Sequence, residues 1–99
     1  SNTMAIATKS ATQATKKRIT FNLHAPGAAE VNLAGSFTAW DPSARPLKCD
    51  KKGTWLTWLN LPPSQHEYLF IVNGQWQKDP HCEKRHANTY GWFSWVVQV

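Results

Sequence analysis

Hydrophobic and polar residues alternate with a period of two along most of the chain, in runs at 19–23, 31–33, 55–61, 68–72 and 93–99. Alternate side chains of a strand face the same side of a sheet, so each run predicts a strand with one apolar face. Turns rich in glycine, proline and asparagine separate the runs, and no segment has a helical period. The pattern predicts an all-β chain, an antiparallel β-sandwich of about seven short strands.

The segments between these runs contain the turn signals. Asn73-Gly74 is a residue pair that favours a type I′ hairpin. A short strand is expected at 47–50, and a polar loop at 79–88. Trp55 and Trp95 fall on the apolar faces of their strands, which predicts that both belong to the core.

Several positions opposite the predicted core are large and apolar, namely Leu56, Trp58, Leu69 and Ile71. The outer face of a simple sandwich is expected to be polar, and a contiguous exposed apolar patch usually marks an interaction site. We therefore predict self-association through these four residues. Trp92 fits either this interface or an enlarged ligand-binding surface.

Two tryptophans lie in or beside tight loops that follow strand-like runs. Trp40 belongs to the segment Gly35-Ser36-Phe37-Thr38-Ala39-Trp40-Asp41, and Trp76 to Asn73-Gly74-Gln75-Trp76. An exposed indole is a suitable partner for the flat apolar face of a pyranose sugar. The pair predicts an aromatic surface for a carbohydrate, with the alternative that both rings only cover one end of the core.

The net charge of +5 is concentrated at the N-terminus. Four of the eleven basic residues precede Ile19, which leaves seven against six acidic residues in the rest of the chain. Nucleic-acid binding needs clustered Lys and Arg on a folded surface. The hypothesis of nucleic-acid binding therefore stays open only if the basic N-terminal tail is the binding segment. Residues 1–17 are predicted to be a disordered tail that starts with an expression remnant, followed by one domain at 18–99.

Other functional classes find little support. Cys49 and Cys82 are too few for a disulfide framework. His81, Cys82 and His86 lack the fourth ligand of a structural zinc site, so no metal and no cofactor are predicted. No apolar run is long enough to cross a bilayer and no signal peptide is apparent, so we expect a cytoplasmic protein without membrane association.

The chain is not expected to be an enzyme. Glycoside hydrolysis generally needs two carboxylates across the scissile bond. Asp41 and Asp79 both precede prolines in turns, where aspartate commonly has a structural role. Neither a nucleophile motif nor a glycine-rich phosphate loop is present in the sequence.

Six segments form an ordered set: VNLAGSFTAW at 31–40, GTW at 53–55, LNLPP at 59–63, EYLFIVNGQW at 67–76, DP at 79–80 and NTYG at 88–91. Together they resemble carbohydrate-binding module family 48, which includes kinase-type glycogen-binding domains and the early-set domains of isoamylases and branching enzymes. The resemblance implies an immunoglobulin-like, early-set β-sandwich that binds α-1,4-linked glucans. It also implies that Trp40 and Trp76 stack on glucose rings.

The polar positions depart from the family pattern. Leu69 stands where the family has a sugar-binding lysine, and Ser94 where it has a sugar-binding asparagine. Tyr90 and Trp92 flank the glycine near the family site, so the chain keeps the stacking pair, lacks a cation and an amide, and gains aromatic rings. We predict a third stacking surface at Tyr90 or Trp92. The candidate polar contacts are Asn88, Ser94, Gln75 and Lys78.

The sequence therefore predicts non-catalytic binding of an α-glucan oligosaccharide or polysaccharide through two or three aromatic side chains. The alternative is a protein-interaction or scaffold module, such as a homodimer, which uses the apolar outer face and has a vestigial sugar site. Under either hypothesis the partner would be a second copy, or a separate kinase or enzyme of glycogen metabolism.

Overall fold

The computed structural model describes residues 16–99 as an antiparallel β-sandwich, which confirms the predicted fold class. Within this range there is one 3₁₀ helix, Ser36–Thr38, and there are nine strands. The strands are β1 (Lys17–His24), β2 (Val31–Gly35), β3 (Arg45–Pro46), β4 (Lys48–Cys49), β5 (Thr54–Leu61), β6 (Gln65–Val72), β7 (Gln75–Gln77), β8 (Arg85–Ala87) and β9 (Phe93–Gln98). No helix in this range is long and apolar enough to cross a membrane.

The N-terminal boundary differs slightly from the prediction. The tail expected at 1–17 lies outside the described residues except for Lys16 and Lys17. Lys17 is already the first residue of β1, where it pairs with Leu61 of β5. The long β5 strand provides partners for two residues before the start of the apolar alternation at Ile19, so strand pairing extends β1 towards the N-terminus.

The smaller sheet has the strand order β1-β5-β4. Phe21 and Leu23 of β1 face the core and are buried, whereas the residues between and around them are exposed. Trp55 of β5 is half-buried against the core, and its indole Nε1–H donates a 2.9 Å hydrogen bond to the carbonyl of Ala25. The predicted core role of Trp55 is thus confirmed.

The larger sheet has the order β3-β2-β6-β9-β8, and β7 also pairs with β6. Tyr68 of β6 lies opposite Gly35 of β2 on one side and Trp95 of β9 on the other. Because β9 pairs with the first half of β6 and β7 with the last three residues, β7 and β9 follow one another along the same edge. This places the β6–β7 turn and the β8–β9 connection on the same sheet as the loop after β2.

Two segments were predicted incorrectly. The strand expected at 47–50 is reduced to the two residues of β4, which joins the smaller sheet, while β3 just before it joins the larger sheet and buried Leu47 lies between the two. A backbone hydrogen bond of 2.9 Å from Leu47 to Val31 fixes this crossing. The segment expected to be a polar loop at 79–88 contains β8, which is stabilised by antiparallel pairing with β9. The residues of β8 show no apolar alternation from which this strand could be predicted.

The core is an aromatic and aliphatic cluster between the sheets. Phe70, Leu33 and Val31 are its largest fully buried apolar side chains, and Trp95 is buried as predicted. The Tyr68 hydroxyl donates a 2.7 Å hydrogen bond to Oδ2 of Asp79. Burial, and then this hydrogen bond, raise the pKa of Tyr68 well above its ordinary value.

The predicted type I′ turn is present at the β6–β7 hairpin. Asn73 and Gly74 have φ angles of 50° and 81°, the left-handed region that this turn requires. The Asn73 Oδ1 atom also accepts hydrogen bonds from the backbone N–H groups of Ala29 and Glu30, at 2.9 and 3.1 Å. The hairpin is therefore attached to the loop before β2 as well as to its own sheet.

The four residues predicted to form one self-association patch do not lie together. Leu56 and Trp58 are exposed on β5 of the smaller sheet, where the Arg18 guanidinium carbon lies 4.0 Å from the centroid of the Trp58 ring. Leu69 and Ile71 belong to β6 of the larger sheet and are each only 4% exposed. The outer faces of two stacked sheets point in opposite directions, so the prediction of a contiguous patch was wrong.

Candidate functional site

The outer face of the larger sheet contains a cleft of about 710 Å³. It is lined by Trp40, Glu67, Leu69, Trp76, Ala87, Asn88, Thr89, Tyr90, Trp92 and Ser94. The six side chains predicted to bind carbohydrate are all in this set, although they come from three separate parts of the chain. Gln75 and Lys78, the other two candidate polar contacts, do not line the cleft.

The floor of the cleft is made by residues of β6 that face away from the core. Tyr68 and Phe70 point inward, so Glu67, Leu69 and Ile71 point to the outer face. Trp76 lies directly opposite Ile71 in the β6–β7 ladder, and side chains of such a pair share one face. Ile71 is buried on this face without lining the cleft. Of the two apolar outer positions of β6, Leu69 therefore belongs to the cleft.

The loop after β2 holds Trp40 in a constrained backbone conformation. The Trp40 N–H donates a 3.0 Å hydrogen bond to the carbonyl of Gly35, and Thr38 bonds both the N–H and the carbonyl of the same glycine through its hydroxyl. Ala39 and Trp40 have φ angles of 53° and 59°, a left-handed conformation that is strained for residues other than glycine. Such strain is concentrated at functional sites in proteins.

Gly35 itself allows the close approach that this loop requires. A Cβ atom at this position would collide with the carbonyl oxygen of Glu67 and with the Phe37 ring. The Ser36 hydroxyl adds a second link, since it accepts a 3.1 Å hydrogen bond from the N–H of Glu67. The loop is therefore fixed against β6, and Trp40 is fixed beside the cleft.

Trp40 and Trp76 converge as the sequence predicted. Their ring centroids are 6.4 Å apart and their planes are inclined by 46°. Trp76 is exposed, whereas Trp40 is half-buried and packs partly against the core. The two rings present tilted aromatic faces, which suits a curved ligand better than a flat one.

The loop between β8 and β9 provides another part of the cleft lining. Tyr90 is 85% exposed, and Trp92 is partly exposed with its ring packed edge to face against Trp95 at a centroid distance of 5.6 Å. The Oδ1 atom of Asn88 accepts hydrogen bonds from the N–H groups of Tyr90 and Trp92, at 3.0 and 3.1 Å. Gly91 provides the positive φ angle, 81°, that this tight loop needs.

Ser94 lies at the bottom of the cleft, where it is too buried to make the direct ligand contact that the sequence predicted. Its side chain has 0% exposure, and its hydroxyl oxygen accepts a 3.3 Å hydrogen bond from Nδ2 of Asn88. The hydroxyl therefore has no surface for a ligand in this geometry, because it is covered by the loop that it supports.

The structure adds residues that the sequence did not single out as ligand contacts. These are Glu67, Ala87 and Thr89, together with Leu69 in its position on the cleft floor. The strand alternation at β6 contained a signal for Glu67, which must face outward if Tyr68 faces inward. The position of Ala87 and Thr89 depends on β8, which the sequence did not predict.

The two aspartates that precede prolines have structural roles. The Asp41 carboxylate accepts hydrogen bonds from the backbone N–H and the hydroxyl of Ser43, both at 2.9 Å, and these hydrogen bonds lower its pKa. Asp79 accepts bonds from Tyr68 and from the N–H of His81. Among residues 16–99 there is no group of three or more His, Cys, Asp or Glu side chains that could hold a metal ion.

The fold and the cleft define a small β-sandwich module with an aromatic binding surface on the outer face of one sheet. The family model described as the glycogen recognition site of AMP-activated protein kinase matches residues 17–99. The chain belongs to this family, as the sequence resemblance predicted.

Individual relatives agree with this assignment. The chain is similar to the 5'-AMP-activated protein kinase subunit beta-1 of Sus scrofa, with 43% identity over 73 residues that cover 74% of this chain and 57% of the relative. The same subunit of Homo sapiens is 43% identical over 73 residues, covering 74% of this chain and 26% of the relative. The chloroplastic protein FLOURY ENDOSPERM 6 of Oryza sativa subsp. japonica is 43% identical over 53 residues, covering 54% and 10%.

Proposed function

We propose that the cleft binds an α-1,4-linked glucan of the glycogen or starch type without catalysing a reaction. The observation that carries this proposal is that the neighbouring rings of Trp40 and Trp76 line one cleft together with Tyr90 and Trp92. Aromatic rings stack on the apolar faces of sugars, and family membership supports glycogen as the model ligand.

The tilt between the tryptophans favours an α-linked chain. Successive glucose units of such a chain turn relative to one another, whereas β-1,4-linked glucans are nearly flat ribbons. Planes inclined by 46° match two rings in a turning chain. If each of two or three stacks contributes about 1 kcal/mol beyond area burial, the Kd is on the order of 0.01–1 mM after the entropic cost of association.

Polar contacts are few in this proposal. The candidates on the cleft surface are the Glu67 carboxylate and the Thr89 hydroxyl. Among the described residues that line the cleft, Glu67 is the one carboxylate, and glycoside hydrolysis generally uses a pair. This supports binding without hydrolysis.

The test is a titration of intrinsic tryptophan fluorescence with maltoheptaose, with cellohexaose as the control. We expect a saturable change with maltoheptaose alone, because ring stacking changes the environment of Trp76 and Trp92. An equal response to cellohexaose would refute the preference for α-linked chains. The lack of a response to both sugars, checked by calorimetry, would refute glucan binding at this cleft.

The length of the relatives bears on the biological role of glucan binding. The chain spans about half of the Sus scrofa relative and a quarter of the Homo sapiens one. We propose that glucan binding localises an associated kinase or glycogen-metabolising enzyme on its polymer. The names of the relatives include kinase subunits and chloroplastic proteins, so the cytoplasmic location stays a prediction.

Self-association is the second candidate, now restricted to the smaller sheet. Leu56 and Trp58 are exposed there beside a depression of about 560 Å³. Size-exclusion chromatography with light scattering should give a concentration-dependent mass for the wild type that Trp58→Ser abolishes. A constant monomer mass for the wild type would remove the homodimer hypothesis.

A further inference from the structure

We infer that Asn88 is a positioning residue, which holds the aromatic arm over the cleft rather than recognising the sugar itself. The aromatic arm is the segment 89–92, which carries Tyr90 and Trp92. This inference rests on the proposed function, because the arm is a ligand surface only if the cleft binds glucan.

The first observation is that the hydrogen bonds of Asn88 are made within the protein. Its Oδ1 atom accepts from the backbone N–H groups of Tyr90 and Trp92, and its own N–H donates to the carbonyl of Trp92 at 2.9 Å. Both acceptor positions of the amide oxygen are therefore occupied. Together these bonds close the arm into a compact loop.

The second observation is that the amide is anchored below the cleft. Nδ2 of Asn88 donates to the hydroxyl oxygen of Ser94, whose side chain is completely buried in β9. The arm is thus connected to the rigid sheet through Asn88. The Tyr90 side chain is largely exposed, so its position depends on its backbone rather than on packing.

The physical consequence concerns conformational entropy. A loop held in its binding conformation before the ligand arrives avoids the cost of ordering it during binding. If Asn88 is replaced by alanine, the arm loses three side-chain hydrogen bonds and becomes free to adopt other conformations. We expect binding of maltoheptaose to weaken about tenfold for an arm of this length.

The experiment compares Asn88→Ala with Asn88→Asp, and Thr89→Ala is a control for the order of the loop only, because its hydroxyl is itself a candidate sugar contact. A carboxylate at position 88 still accepts from both N–H groups, and the Ser94 hydroxyl can donate to it. We therefore expect Asn88→Asp to retain affinity within about threefold. Thr89→Ala leaves the hydrogen bonds of Asn88 intact and should keep the arm ordered.

A double-mutant cycle separates positioning from direct contact. Asn88→Ala is introduced into the wild type and into the double variant Tyr90→Ala/Trp92→Leu, with circular dichroism to verify folding. A positioning residue loses its effect when the arm has no ligand contacts, so we expect less than a twofold change in the second background. A tenfold loss in both backgrounds would overturn the inference and assign Asn88 a direct sugar contact.

A second readout needs no ligand. Amide hydrogen exchange at Tyr90 and Trp92 should be slow in the wild type and in Asn88→Asp, and at least tenfold faster in Asn88→Ala. Equal protection in Asn88→Ala would overturn the inference. If the wild type binds no maltoheptaose, the proposed function fails, while hydrogen exchange still decides whether Asn88 orders the arm.

Discussion

Replacement of Trp76 by alanine is the most direct test of the cleft. Trp76 is on the three-residue strand β7 and is 41% exposed, with its ring 6.4 Å from that of Trp40. The change removes the exposed ring while the β6–β7 turn, which depends on Asn73-Gly74, is retained. Trp76 also faces Ile71 across the ladder and is itself partly buried, so the variant removes ligand surface and its folding is checked beside its binding.

The magnitude follows from the exposed area. About two fifths of a tryptophan surface is roughly 100 Å², of which a sugar stacked on one face covers about half. At about 25 cal/mol per Å², together with about 0.5–1 kcal/mol for stacking, the ring contributes about 2 kcal/mol to binding. We expect the Kd for maltoheptaose to rise by about 30-fold.

Isothermal titration calorimetry with maltoheptaose is the assay, because it does not depend on the fluorescence of the ring that is removed. Trp76→Phe retains an aromatic face with a smaller area, so its loss should be about three- to fivefold. Circular dichroism and thermal melting of each variant show whether the sandwich remains folded.

Trp58→Ala is the matched control. Trp58 is 47% exposed, about as much as Trp76, but lies on the smaller sheet. We expect it to bind maltoheptaose like the wild type. An unchanged Kd for folded Trp76→Ala, or an equal loss for Trp58→Ala, would show that the cleft is not the glucan site.

Three further predictions concern the stacking pair, the hydrogen bond between Tyr68 and Asp79, and the Asp50 carboxylate. Trp40→Ala should also weaken maltoheptaose binding. Because the rings of Trp40 and Trp76 are neighbours, calorimetry of the double variant Trp40→Ala/Trp76→Ala should show binding free energies that deviate from additivity by about 1 kcal/mol. Strict additivity would contradict a shared stacking site. Tyr68→Phe should lower the free energy of unfolding in urea by about 1–2 kcal/mol, since the side chain of Asp79 loses a hydrogen-bond donor, and an unchanged urea midpoint would argue against this bond. Hydrogen bonds from the backbone N–H groups of Thr54 and Lys52 to the Asp50 carboxylate lower the pKa of Asp50 below its ordinary 3.8, so its stabilising contribution is present above that pH and is lost as the pH falls through the lowered value. Urea unfolding between about pH 5 and pH 2 should thus be less pH-dependent for Asp50→Asn, and identical profiles would contradict the assignment.

Much of the fold follows from local sequence. The alternation at β1, β5 and β6 defines their inner faces, because a strand with one buried face must place its large apolar residues at every second position. Asn73-Gly74 specifies its own turn, since few other residues tolerate two positive φ angles. The stacking pair, Trp40 and Trp76, is also recognisable from the sequence alone, because each ring follows a turn signal.

The tertiary structure decided which apolar outer positions are exposed. In the sequence Trp58 and Leu69 have the same character, yet Trp58 is on the surface of the smaller sheet and Leu69 is the floor of a cleft. The difference comes from loops distant in sequence that cover one sheet and not the other. The sequence likewise supplied Asn88 as a polar residue near aromatic rings, but only the folded loop shows that its amide is used to hold them. Periodicity determines the face on which a side chain lies, while the long-range packing of loops on that face determines what the side chain can bind.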